Sequence, residues 1–113
     1  MPRPKLYRKW VIPDNVVDIV KSVCADYDRR KRAIQASLLT AEVMREYIRL
    51  NDAVDKALTD NVEEALREYM LTDIQLNRGY DLSPTSPYLA KNTYYQRKRK
   101  VVHDIALELH LIV

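Results

Sequence analysis

Only one of the 113 residues in this chain is a glycine, Gly79. Walker-type and dinucleotide-binding loops need several glycines to bring the backbone close to phosphate, so both kinds of site are excluded. Tight turns between β-strands also rely on glycine at backbone conformations that other residues adopt at a cost. With a single glycine and no phenylalanine, the chain is predicted to fold as an all-α protein.

Apolar residues recur at alternating spacings of three and four, which is the periodicity of amphipathic helices. The stripes span residues 16–34, 43–58 and 62–76, and a fourth helix is predicted over 92–111. Two Ser-Pro pairs in residues 80–91 predict a short helical turn, because proline is favoured at the first helical position. The predicted fold is a compact bundle of four main helices and one short helix, of one domain's length.

The predicted helix ends rest on capping residues. Asp14 or Asn15 is expected to cap the first helix. Asp60, with Glu63 three residues later, has the pattern of a capping box before the third helix. Gly79 stands where a left-handed residue would end that helix.

The net charge of +3 is unevenly distributed. Residues 1–12 hold four of the 19 basic residues and none of the 16 acidic ones, so this segment carries +4 and the remainder −1. Further basic clusters lie at residues 29–32 and 91–100. Basic clusters on a near-neutral body favour nucleic acid as a partner, although clusters that only keep a protein soluble are the alternative.

The last predicted helix is basic in its first half and apolar in its second. Its sequence is KNTYYQRKRKVVHDIALELHLIV, the layout of a DNA recognition helix rooted in a core by its apolar end. Asn92 is expected to cap it, and Tyr95 to lie in the core with Tyr94 at the margin. On a helical wheel Arg99 falls on the apolar side, with its stem along the core rim. A solvated basic face on a structural helix is the alternative interpretation.

Signs of catalysis, of a metal site and of a membrane span are absent from the sequence. His103 and His110 lie seven residues apart, about 10 Å along a helix, which is too far for one metal ion. Cys24 is the single cysteine, so it has no internal disulfide partner and is expected to be a small buried side chain. No run approaches the ~20 apolar residues of a membrane span, and no secretory segment is recognised. We expect a cytoplasmic protein that is not an enzyme and binds neither metal nor cofactor.

The segment NTYYQRKRKVVHDIALEL, which starts at Asn92, resembles the C-terminal helix of phage-encoded, sigma-region-4-like transcription regulators of the ArpU/RinA type. The resemblance rests on the Asn-Thr start, the two tyrosines, the basic run at 97–100 and the Ile/Ala/Leu stripe. Residues 25–34, ADYDRRKRAI, resemble the first helix of such proteins. The resemblance implies a phage or prophage regulator in the bacterial host cytoplasm, acting on promoter DNA or on RNA polymerase.

The candidate DNA-binding residues lie at the start of the last helix. They are Lys91, Asn92, Thr93, Tyr94, Gln96, Arg97, Lys98, Arg99 and Lys100. Those expected near bases or the groove edge are Asn92, Thr93, Gln96 and Arg97. Those expected at phosphates are Lys91, Lys98, Arg99 and Lys100, since phosphate contacts position a helix without reading sequence.

We expect a flexible basic arm over residues 1–12 and one helical domain over 13–113. Residues 60–113 would form the helix-turn-helix-like unit, with 83–90 as its short second element. Residues 13–58 would form a helical hairpin for packing, homo-oligomerisation or contact with RNA polymerase. The alternative function is a helical protein–protein interaction or phage assembly module without nucleic-acid binding.

Overall fold

The computed structural model describes residues 11–77, Gly79 and 90–113. This part of the chain is helical and contains no strand, which confirms the predicted all-α class. The five helices are α1 (Asp14–Ala25), α2 (Tyr27–Ala36), α3 (Ala41–Asn61), α4 (Glu64–Leu76) and α5 (Lys91–Glu108). The predicted arm, up to residue 10, and the predicted short helix over 83–90, apart from Ala90, lie outside the described residues.

The first apolar stripe, predicted as one helix, is two. Asp26 (φ −92°, ψ 1°) separates α1 from α2. Its carboxylate accepts hydrogen bonds from Nε and Nη2 of Arg29, at 3.0 and 2.7 Å. An apolar stripe does not record such a break.

Two of the predicted caps are wrong. Pro13, without a side-chain hydrogen bond, precedes α1, so neither Asp14 nor Asn15 caps it. Because α3 continues through Asp60 to Asn61, Asp60 lies inside a helix and does not cap α4. A real cap is Thr40, whose hydroxyl accepts the backbone N–H of Val43 at 3.3 Å.

The end of α4 uses two left-handed residues. Asn77 (φ 54°) follows the helix directly, and Gly79 (φ 83°) comes two residues later. The left-handed residue that ends α4 is therefore Asn77, two residues before the predicted Gly79. A methyl group on Gly79 would lie 3.2 Å from Oη of Tyr95, so close packing as well as positive φ favours glycine there.

The core lies between α1, α3, α4 and α5. Two pairs across α3 and α5, Asn61 with Asp104 and Lys56 with Glu108, show that these helices run antiparallel. Cys24 is fully buried in α1, as expected of a small structural side chain. Burial, only partly offset by Arg30, raises the pKa of its thiol to about 12, so it stays protonated and unreactive.

Ile12 also belongs to this core, so the prediction that the flexible arm includes residue 12 is wrong. None of the described helices combines the length and the apolar character needed to cross a membrane.

Candidate nucleic-acid interface

The start of α5 has no side-chain cap. Lys91 is its first residue and Ala90 precedes it in an extended conformation, without a side-chain hydrogen bond. The predicted capping role of Asn92 is therefore wrong: the helix begins before it, and its side chain is exposed. No acidic residue lies in the first turn, which leaves the positive end of the helix dipole open to an anion.

Tyr94, not Tyr95, is the core aromatic of α5. Tyr94 is 1% exposed and its hydroxyl donates a hydrogen bond to Oδ2 of Asp73. Tyr95 is half-buried and meets the Tyr94 ring edge-on, with ring centroids 5.5 Å apart. Val102 and Ala106, predicted to lie in the core with Tyr95, are buried as well, so the buried face of α5 extends from the predicted one toward Tyr94 instead of being centred on Tyr95. The predicted DNA contact by Tyr94 is wrong because its side chain is inside.

The predicted DNA contact by Lys98 is also wrong, because its charge is paired inside the protein. Its Nζ lies 3.1 Å from Oδ1 of Asp73, which is fully buried, and its own side chain is 16% exposed. The backbone N–H of Gly79 donates to the same oxygen at 2.7 Å. Burial by itself would raise the pKa of Asp73, but the hydrogen bonds from Tyr94, Gly79 and Lys98 outweigh it, and the pKa lies below its usual range. This carboxylate joins α4 to α5, and Lys98 is its counter-ion.

Lys100 is held by another acid on the same helix. Its Nζ donates to both oxygens of Asp104, at 2.7 and 2.8 Å. Asp104 also accepts from Asn61 at 2.9 Å and lies 3.1 Å from Nδ1 of His103. Burial opposes ionisation of Asp104, yet these hydrogen bonds hold its pKa below the usual value. The charge of Lys100 is thus compensated within the protein.

Arg97 is only loosely paired. Its Nη1 lies 3.4 Å from Oε1 of Glu63, with 30% of the Arg97 side chain and 68% of the Glu63 side chain exposed. Exposed ion pairs of this kind contribute ~0–1 kcal/mol. The expectation that Arg97 and Lys100 face open solvent is therefore not met, although Arg97 can exchange its partner at little cost.

Three other polar residues of α5, one exposed and two half-buried, share one face of the helix. Asn92, Gln96 and Arg99 are spaced i, i+4 and i+7, which brings them within about 60° of each other around the helix. Within the described part of the chain, no hydrogen bond or ion pair occupies their side chains. Arg99 is half-buried and lines a groove with Val17, Tyr95 and Val102, so it keeps the predicted core-rim position at the edge of this face. We call these three residues the reading face; Lys91 is exposed and Thr93 half-buried beside it.

Asp73 was not singled out as a site residue. The available signal was a carboxylate within the apolar stripe of a helix, since a charge there needs a buried partner. Among the described residues, no three His, Cys, Asp or Glu side chains are grouped to hold a metal ion. Compared with protein-family models, with curated proteins and with solved structures, the chain matches none of them.

Proposed function

We propose that this chain is a sequence-specific DNA-binding transcription regulator that reads duplex DNA with the first half of α5. The supporting observation is the reading face, where the exposed Asn92 amide and the half-buried Gln96 amide and Arg99 guanidinium have no partner among the described residues. Asn and Gln amides match the edge of adenine in the major groove, and Arg matches guanine. The uncapped start of α5 beside exposed Lys91 suits a backbone phosphate.

The packing of α5 supports a rigid presentation of this face. Tyr94 and Lys98, one turn apart, are both bound to the buried carboxylate of Asp73 on α4. Further along, Val101 and Ile105 are fully buried. A recognition element needs this anchoring, because hydrogen bonds to base edges tolerate little movement. We regard residues 60–113 as the helix-turn-helix-like unit on this basis.

The wider setting follows from the sequence resemblance. It favours a phage or prophage regulator that acts on promoter DNA in a bacterial cytoplasm, with RNA polymerase and a second copy of the chain as further partners. The pair of helices α2 and α3 is the proposed surface for those protein contacts. Leu38, at the turn between them, is 89% exposed.

The proposal is tested by selection from a random duplex library, followed by anisotropy titration of the enriched sequence at 50 mM salt. Asn92→Ala, Gln96→Ala and Arg99→Ala should each lose ~1–3 kcal/mol of discrimination, at separate base positions. Gln35→Ala is the matched control, since Gln35 is exposed on α2, away from α5. Failure of the library to enrich, or equal loss at all positions for all variants, would contradict the proposal.

A second candidate is a helical protein-interaction module without nucleic-acid binding. It is favoured by the compensation of Arg97, Lys98 and Lys100 by acids of the same chain. Salt dependence separates the two functions. A DNA reader should lose affinity with a slope of ~−0.9 per phosphate contact in a plot of log K against log salt. An interaction module has no duplex affinity from which such a slope could be measured.

A further inference from the structure

A groove runs beside the reading face, between α1 and α5. Its volume is about 290 Å³. Its lining is mostly apolar, and Arg99 belongs both to this groove and to the reading face. The described lining residues are Ile12, Val17, Lys21, Asn77, Tyr95, Lys98, Arg99 and Val102.

The charges around the groove are of one sign. Lys21 on α1 and Arg99 on α5 have no acidic partner among the described residues, and no described acid lines the groove. The third cation, Lys98, is already bound to Asp73. Two cations without an acidic partner therefore line one groove, and an anion bound there would compensate their charge.

The floor of the groove adds a second requirement. Ile12 and Val102 are buried and Val17 is half-buried, so the occupant has an apolar part next to its anionic part. The backbone of DNA has this character, because each phosphate is attached to a deoxyribose with apolar ring edges. A helix lying in the major groove has the two sugar-phosphate strands along its sides, and the groove flanks α5 in that direction.

We propose that this groove binds the sugar-phosphate backbone of one DNA strand beside the major groove. Lys21 contacts the phosphate and the deoxyribose packs on Ile12 and Val17, while Arg99, at the edge of the groove, remains a base-reading residue. This inference rests on the proposed function and adds a DNA contact from α1, outside the C-terminal unit. It predicts that α1 fixes the register of α5 on the duplex, since backbone contacts set orientation rather than sequence choice.

The test compares Lys21→Gln with Lys31→Gln in the full chain. Lys31 is exposed on α2 and has no ion pair among the described residues, so it controls for the loss of one positive charge. A mixed-sequence duplex is titrated by fluorescence anisotropy between 50 and 200 mM salt. Lys21→Gln should reduce the salt slope by ~0.9 and weaken binding about eightfold at 0.1 M salt, as expected for one lost phosphate contact. Lys31→Gln should change neither quantity.

Other outcomes would overturn the inference in distinguishable ways. If wild type binds the duplex and Arg99→Ala weakens it, while Lys21→Gln keeps the full slope, the proposed function stands and the groove contact is wrong. If wild type binds no duplex at 50 mM salt, the proposed function and the groove contact are both wrong. Anilinonaphthalene sulfonate, an aromatic anion, is then titrated against wild type and Lys21→Gln. Dye binding that requires Lys21 would assign the groove to a small anionic molecule instead of DNA.

Discussion

At the level of single residues, the placement of α5 depends most on Asp73. Its carboxylate is fully buried and accepts hydrogen bonds from the Tyr94 hydroxyl, the Gly79 backbone and Lys98. A buried carboxylate with fewer donors would be strongly destabilised. The three donors therefore act together, and each one fixes α5 or the end of α4 in position.

Removing the Tyr94 hydroxyl tests this arrangement. Tyr94→Phe should lower the free energy of unfolding by ~1–3 kcal/mol, because it deprives a buried carboxylate of a donor while leaving the ring in place. The measurement is urea denaturation followed by circular dichroism. Tyr95→Phe is the matched control, and a smaller loss is expected there because Tyr95 is half-buried. A larger loss for Tyr95→Phe would restore the orientation predicted from the sequence.

The sequence predicts an anchored, amphipathic α5 but not its rotation. Tyr94 and Tyr95 are equally suited to a core, and Val101 and Val102 are both buried. Because the apolar face is this broad, the sequence does not decide which of two adjacent residues points into the core. What decides it is Asp73, a polar partner 21 residues away from Tyr94 in sequence, and single-sequence periodicity carries no information about such pairs.

At the level of helices, the apolar stripes identified most of the helices, whereas the residues at which the helices begin and end could not be recognised. The apolar stripe through α1 and α2 continues in register across Asp26, so the spacing of apolar residues gives no sign of the break. The burial of Arg30 on α2 was equally hidden, since the sequence shows only one cation among four in a row. In the structure, its Nε donates to Oδ1 of Asn51 at 2.7 Å and its Nη2 to the carbonyl of Val23.

The contact between α2 and α3 should therefore depend on the shape of the Arg30 side chain. Arg30→Lys keeps the charge but lacks the planar fork that reaches both acceptors. We expect it to lower the free energy of unfolding by ~2 kcal/mol, since one buried and one partly buried acceptor lose charged donors. Arg32→Lys, exposed on the same helix, should change it by less than ~0.5 kcal/mol. Equal values for the two variants in urea titrations would show that Arg30 has no special role.

The pair between Glu63, next to α4, and Arg97 of α5 offers a functional prediction. In the proposed DNA complex a phosphate competes with Glu63 for the Arg97 guanidinium. Glu63→Gln should therefore strengthen duplex binding by up to about fivefold, the equivalent of the ~1 kcal/mol that an exposed ion pair contributes. Glu64→Gln, one residue further and without an ion pair among the described residues, should have a smaller effect. Unchanged or weaker binding by Glu63→Gln in anisotropy titrations would remove Arg97 from the interface.

At the level of the whole molecule, the distribution of charge in the fold differs from its distribution in the sequence. The run at 97–100 looks like an uncompensated basic patch when read alone. Two of its cations meet acids 25 and 34 residues away, and a third meets an acid one turn later. Of that run, only Arg99 lies on the reading face, so the predicted set overstated the free charge of the run, although it did include Asn92, Gln96 and Arg99.

The same acids link the stability of the bundle to pH. Asp73 joins α5 to α4, Asp104 contacts α3 through Asn61, and both have pKa values below their usual range in the folded protein. The unfolded chain has an ordinary carboxyl pKa of ~3.9, so it binds protons at a higher pH than the folded chain does. The stability from these two groups is therefore fully present above pH ~4. It is lost as the pH falls from there through the lowered folded-state pKa values.

Asp104→Asn should thus lower the free energy of unfolding by ~2 kcal/mol at pH 6, where it removes a charged hydrogen-bond acceptor. Its curve of stability against pH between 6 and 2 should be shallower than that of wild type, and the two should converge in acid because wild type also loses the carboxylate there. Urea titrations at several pH values measure both curves. Asp60→Asn, an exposed acid on α3, should run parallel to wild type. If Asp104→Asn also ran parallel, its carboxylate would not be one of the groups whose protonation opens the bundle.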